Sequence, residues 1–354
     1  MRLLTPSIIL ILSTFTRAFH HANTFPYSPT KIAIGYSDNV PTTRANKKWL
    51  IKTKKLFKRG PIQTSLNGAA VPAISASKFL FTLPTCTASN VHQIACVAGS
   101  VGLGAQILLY LLFRRSKDEV RRKNAGYTAH SIVALGLMLL ASWIGVVGWL
   151  TLLPASATSL SPSTRRLLVP VNEARWLSAV ICGMFVAWDI PTSIAIGQLR
   201  KADVIVHHLV MAILAYFGST SIPMYYLFYF FGISELSSVP LVIYDQLSRD
   251  YDRCTEEGNQ ERADCIGKLR GKFQIMAAIA FTMIRAVSFP IVSLFKFLPD
   301  VRAVLMTASP ASLAVGRTGL LLRSLSVANI GFTILQLYWF SLIVKIATGM
   351  NNKE

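Results

Sequence analysis

The run "KADVIVHHLVMAILAYF", from Lys201 to Phe217, sets two imidazoles side by side in an otherwise apolar stretch. Ionisable side chains are costly in hydrocarbon and mark functional interiors. Besides His207 and His208, the deep ones in this chain are His130, Asp189, Glu235 and Arg285. Neighbouring residues on a helix point about 100° apart. One histidine of the pair can therefore face a cavity while the other bonds an adjacent helix, and the two cannot readily hold one ion together. Imidazole changes charge near neutral pH. With Asp189 or Glu235 beside it, His207 or His208 can act as general base on a lipid amine or hydroxyl, or carry an acyl group itself. The same pair can equally serve as interhelical hydrogen bonds that fix helix register. Arg285, in "MIRAVSFP", wants a carboxylate, with Asp189 and Glu235 as candidates; it can also bind a lipid phosphate or a thioester carbonyl. Pro290 just beyond it, and Pro191 two residues after Asp189, predict kinks that open a cavity. A di-iron centre needs a larger histidine set than these six, two of which (His20 and His21) lie near the N-terminus, so no metal site is expected.

Side chains of this kind must be held by helices in a membrane. The 354-residue chain is 52% hydrophobic and 15% charged, against roughly 25% charged in an ordinary soluble domain. Its mean hydropathy is +0.47. Apolar runs of about 20 residues, enough to cross a bilayer, alternate with short charged connectors. The predicted fold is all-α: a polytopic membrane bundle of about seven transmembrane helices around a lipid-accessible cavity. The predicted helices cover 90–113, 127–153, 173–197, 203–220, 223–246, 272–297 and 325–348. The segment 300–322, with Arg302, Pro310 and Arg317, is predicted as an interfacial loop or short half-helix. Gly99, Gly102 and Gly104 superficially resemble a phosphate loop, but they lie mid-span with no preceding strand and predict close helix packing instead.

The formal net charge is +20. Lys and Arg fall mostly in connectors and the N-terminal arm, which fits topology-setting charge and anionic lipid headgroups as partners rather than nucleic acid. The connectors after the first, third and fifth helices are rich in Lys and Arg, including Arg200 and Lys201, and are predicted to be cytosolic, or stromal in a plastid. Those after the second, fourth and sixth are poorer. Residues 1–18 have the parts of a signal peptide: Arg2, an apolar core from Leu3 to Leu12, and Thr16-Arg17-Ala18. Residues 19–78 form a basic, transit-like segment, with nine basic residues and one acid between Phe19 and Gly60. The Ala18–Phe19 junction resembles the bipartite plastid leaders of algae with complex plastids; the alternative is a plain secretory leader followed by a basic arm. Either assigns the chain to a membrane reached through a signal peptide, endoplasmic reticulum or plastid. None of the five cysteines forms a CxxC, so no disulfide framework or zinc site is expected.

The order of motifs carries a family resemblance: "TAHSIV", then the "HH" pair, "ISELSSVPL", "MIRAVSFP" and "LQLYWFSLIVK". Together they resemble the TLC-domain (TRAM/Lag/CLN) family over about 120–348, after a first helix and linker at 79–119 and before a short tail at 349–354. The resemblance implies a helical bundle around a lipid-accessible cavity. In the family's ceramide synthases the paired histidines are essential for acyl transfer from acyl-CoA to a sphingoid-base amine, and His207 and His208 match those positions. The acid-rich stretch and extra histidine that follow the pair in ceramide synthases are replaced by "ISELSSVPLVIYDQL", and no homeobox-like insert is present. The chain is thus closer to the broader family, linked to membrane lipid composition, sensing or trafficking. The alternative is an acyl-CoA-dependent N- or O-acyltransferase. In that case His207 or His208 is base or acyl carrier, and Glu235 or Asp189 orients it. Arg285 and His130 face the lipid or acyl group, and Arg200 and Lys201 form a basic mouth for acyl-CoA, the only co-substrate expected. No other cofactor is expected.

Overall fold

The computed structural model describes residues 83, 85–152, 160–222, 224–307 and 317–348. The predicted signal peptide (1–18), the basic segment (19–78) and the C-terminal tail (349–354) lie outside the described residues. Among the described residues there is no strand. The principal helices are α1 (Val91–Arg114), α2 (Ala125–Thr151), α3 (residues 172–195), α4 (Ala202–Thr220), α5 (Ser238–Glu256), α6 (Gln260–Thr307) and α7 (Arg317–Thr348). Short helices Glu119–Lys123 and Pro162–Leu168 sit in the connectors before α2 and α3.

Five helical segments among the described residues are long and apolar enough to cross a membrane: α1, α2, Pro162–Ala195, α6 and α7. The predicted fourth span is a shorter apolar helix, Val204–Thr220. The predicted fifth, 223–246, is not one regular helix. It opens with a π turn, Phe228–Gly232, passes through a 3-10 turn, Ile233–Ser237, and becomes α-helical only at Ser238. Gly232 explains part of this, because its backbone presses against α2; a Cβ there would stand 2.9 Å from the Ala141 carbonyl oxygen.

Helix α6 is longer than predicted at both ends. Pro290 does not end it, because the π turn Phe281–Ser288 immediately precedes that proline, and a second π turn, Ser293–Phe297, follows. Proline removes one backbone donor and crowds the preceding turn, and a widened turn accommodates both effects. The same device precedes Pro191, where Phe185–Asp189 is a π turn. The segment 300–322, predicted as an interfacial loop or short half-helix, is helical at both of its described ends. Leu298–Thr307 continues α6 and Arg317 already starts α7, with 308–316 outside the described residues. Asp300, which the sequence reading passed over, is no surface charge. It is instead buried and bonded by Arg166 (2.6 and 2.8 Å), Ser163 (2.8 Å) and Tyr226 (2.6 Å).

Small residues let the helices approach. Helix α1 packs on α2 and α3, α3 on α4, and α2 on the 228–237 segment. A Cβ on Gly99 would lie 2.6 Å from Ala187 Cβ and from the Gly183 carbonyl oxygen, and Gly102 is buried against Met184 and Trp188, whereas Gly104 faces open space. Such contacts matter in a membrane, where lipid tails are as apolar as the core and close packing holds helices together. The core is aromatic and centres on Tyr226, Phe228, Phe231 and Phe297, with Ile144, Leu167 and Leu177. Large apolar side chains also point outward, among them Val101 (65% exposed), Phe295 (74%) and Ile334 (63%), as a lipid-facing surface requires.

Helices α5 and α6 form a hairpin closed at Gly258 (φ +72°), where Asn259 N–H donates to the Cys254 carbonyl and Gly258 N–H to that of Thr255. This hairpin meets the α1–α2 connector through Arg262–Asp118 (2.7 Å), Arg253–Asn124 (3.1 Å) and Lys123–Glu257 (3.7 Å). The connectors after the first and fifth helices thus meet at one end of the bundle. The Arg166–Asp300 pair joins the segments after α2 and at the tail of α6 at the other.

Candidate functional site

Three helices bring a carboxylate between two imidazoles. Asp189 closes the π turn of α3 and is 3% exposed. His130, one turn into α2, places Nε2 3.3 Å from Asp189 Oδ1. His208 of α4 sets Nδ1 directly against Asp189 Oδ2. His130 is further fixed by Thr192, whose hydroxyl lies 3.2 Å from Nδ1, and by Trp188, which stacks on the ring at 4.8 Å. Trp188 in turn donates from Nε1 to Gln106 Oε1 of α1 at 3.4 Å. His208 stacks on Phe185 at 5.0 Å. Both rings are therefore locked in orientation, and the carboxylate has one oxygen for each.

Its neighbour points elsewhere. The centroids of His207 and His208 are 5.6 Å apart and their planes are tilted by 52°. His207 is held edge-on by two α7 rings, Phe332 (5.4 Å) and Trp339 (5.5 Å), and its Nδ1 is buried with no hydrogen-bond partner among the described residues.

A second polar group surrounds Arg285 of α6. Its Nε donates to Ser237 Oγ (2.8 Å) and the Ser234 carbonyl (3.3 Å). Its Nη2 donates to Ser238 Oγ (2.8 Å) and Glu235 Oε1 (3.3 Å). The irregular "SELSS" turn exists where the guanidinium needs acceptors, and a charge this deep is tolerable only when paired and hydrogen-bonded. Of the two candidate carboxylates, Glu235 is the partner of Arg285, and Asp189 serves the histidines.

His207 and the Arg285 group meet at one chamber. His207, Ser234, Glu235, Arg285, Asn329 and Gln336 are its polar lining, and the remainder is apolar, including Met211, Leu214, Phe230, Phe289 and Leu325. The free volume is about 50 Å³, room for a few waters or the tip of an alkyl chain. An apolar hollow with a few convergent polar groups is the usual form of a small-molecule site.

His130, Asp189 and His208 are thus gathered at one carboxylate, while His207, Glu235 and Arg285 share the chamber. Arg200 and Lys201 are elsewhere, at the α3–α4 turn. There Arg200 closes the end of α3, donating from Nε and Nη2 to the Ile194 carbonyl at 2.8 and 2.6 Å. Among the described residues no group of His, Cys, Asp and Glu could hold a metal ion. Sequence reasoning missed Asn329, Gln336 and Thr192, because it searched the spans for ionisable residues only. Asn329 and Gln336 were visible as amides seven apart on one face of an apolar helix.

A family model described as the TLC domain, of the TRAM/LAG1/CLN8 type, matches residues 127–345. No curated protein and no solved structure matches the chain.

Proposed function

The chain belongs to the TLC-domain family, and from that premise we propose that it holds a lipid in its intramembrane chamber and acts in membrane lipid homeostasis, sensing or trafficking. It is an integral, multi-pass membrane protein with a membrane-lipid-related function; the lipid-binding role is the finer reading. The observation that carries it is the chamber itself: apolar walls with a bare imidazole nitrogen and a paired Arg285–Glu235 inside the bundle. Native mass spectrometry of the detergent-purified full chain tests it. A co-purifying lipid that is lost when Leu214→Trp fills the slot, with the fold retained, supports the reading. A chain that emerges empty from membrane extracts and binds no added lipid overturns it.

A second reading, an acyl-CoA-dependent lipid N- or O-acyltransferase, is favoured by one further feature. His207 presents an unpartnered nitrogen to the chamber beside His208, which Asp189 holds. In that reaction His207 takes the proton of a lipid amine or hydroxyl as it attacks the thioester carbonyl. The carbon–sulfur bond then breaks, and the coenzyme thiolate leaves with that proton. Labelled acyl-CoA with a panel of amines and lysolipids decides it. Turnover abolished in His207→Ala, with folding intact, supports the enzyme; bound lipid without turnover supports the first reading. The leader assigns the chain to the endoplasmic reticulum or a plastid membrane, which imaging of a C-terminal fluorescent fusion distinguishes.

A further inference from the structure

We propose that Gln336 reads the head of the lipid in the chamber, and that this head is a hydrogen-bond donor without phosphate, a hydroxyl or an amide N–H. The inference rests on the lipid-binding reading and adds the chemistry of the ligand. Gln336 is 3% exposed, lines the chamber, and buries its Oε1 with no hydrogen-bond partner among the described residues. A buried amide oxygen without a donor destabilises a fold, and native proteins keep few of them. The neighbouring amide shows what a purely structural residue does here: Asn329, two turns earlier on the same face, is bonded to Ser293 of α6. Gln336 Oε1 has no such partner, and the residue lines the hollow.

Its position fits a ligand contact. Phe332, Gln336 and Trp339 recur at helical spacing on one face of α7. The two rings flank His207, and His207 and Gln336, each with one unpartnered polar atom, both line the chamber. A ligand hydroxyl or amide offers the proton that Gln336 Oε1 lacks and leaves its own oxygen for the imidazole. An ester or alkyl terminus leaves Oε1 bare. A phosphate meets an acceptor where it needs donors, and the one arginine in the chamber has its charge matched by Glu235 and two nitrogens bonded by the 234–238 turn.

The test uses the full chain in detergent with four probes that share one chain: hexadecanol, hexadecanamide, hexadecyl phosphate and hexadecane. Binding is read by equilibrium titration, and stability by thermal melting. For the wild type the alcohol and the amide are expected to bind about tenfold tighter than hexadecane or the phosphate, the worth of one buried hydrogen bond. Gln336→Leu and Gln336→Met are expected to bring the alcohol to the hexadecane level. Without ligand they should melt no lower than wild type, because each removes an orphaned acceptor; a structural glutamine would lower the melting point instead. Alcohol binding that ignores both substitutions yet is lost in Leu214→Trp overturns the role of Gln336 and leaves the lipid reading standing. Tightest binding of hexadecyl phosphate overturns the proposed head chemistry. If no probe binds, the lipid reading falls and this inference falls with it.

Discussion

Replacing Asp189 by asparagine keeps the side chain's shape and removes its charge. The carboxylate is almost wholly buried and lies against two imidazoles on two other helices, one oxygen to each. Hydrogen bonds to a charged group contribute about 1.5–3 kcal/mol each. Asparagine retains one carbonyl acceptor but turns an NH2 group to the other ring, so one interaction survives and the other is remade between neutral groups. Asp189→Asn should therefore destabilise by about 1.5–3 kcal/mol. Asp189→Ala takes the carboxylate from both rings and opens a void, and should destabilise by about 3–5 kcal/mol. Melting in detergent, followed by tryptophan fluorescence because Trp188 stacks on His130, should rank wild type above Asn above Ala. Because the two rings share one carboxylate, His130→Ala and His208→Ala should couple, by about 0.5–3 kcal/mol in a double-mutant cycle. Strict additivity, together with an asparagine variant as stable as wild type, would show that Asp189 does not join the three helices.

Glu235→Gln leaves the buried Arg285 charge unmatched and should destabilise by about 3–5 kcal/mol, while the double change Glu235→Gln with Arg285→Met should recover much of the loss in the same melting assay. Gly99→Val sets side-chain carbon where Ala187 and the Gly183 carbonyl already lie, and should destabilise by about 1–3 kcal/mol; Gly104→Val, facing open space, should be nearly neutral. Asp300→Asn unpairs Arg166 at the far end of α6 and should lower the melting temperature more than the exposed Glu119→Gln does. At the opposite end, the hydrogen bond from Arg262 holds the Asp118 carboxyl below its usual range. Its contribution is present above the ordinary carboxylate pKa of about 3.9 and lost as pH falls through the lowered value. Melting points of wild type and Asp118→Asn should thus differ by a constant small amount, at most about 1 kcal/mol for so exposed a pair, down to about pH 5, and converge toward pH 3.

The sequence made the helices legible where hydropathy and length agree: α1, α2 and α4 fall within a few residues of their predicted bounds. It misjudged the 223–246 stretch, because apolar composition does not encode the local pitch that Gly232 and three serines impose. It missed Asp300 because a carboxylate in a sequence carries no mark of the arginine, serine and tyrosine, drawn from two distant segments, that bury it. At the site, helical geometry alone dictated that His207 and His208 must part company. Which acid went with which cation was not legible, since both Asp189 and Glu235 lay in spans at comparable depth, and only the packing of α2 and α4 against α3 settles the pairing.

The wide turns of α6 set the rotational phase between its two halves. Arg285 lies within the first of them, midway along the rod, and Asp300 beyond the second, near its end, and each must face a different companion. A widened turn holds an extra residue, so it works like a shim in a screw thread: a residue removed within Ser293–Phe297 is absorbed as the turn narrows, whereas one removed between Phe297 and Asp300 would swing Asp300 through about 100°, away from Arg166, while Arg285 stayed where it is. Single-residue deletions along this rod should therefore be tolerated or ruinous according to whether they fall within the shim or beyond it, however mild the side chain removed.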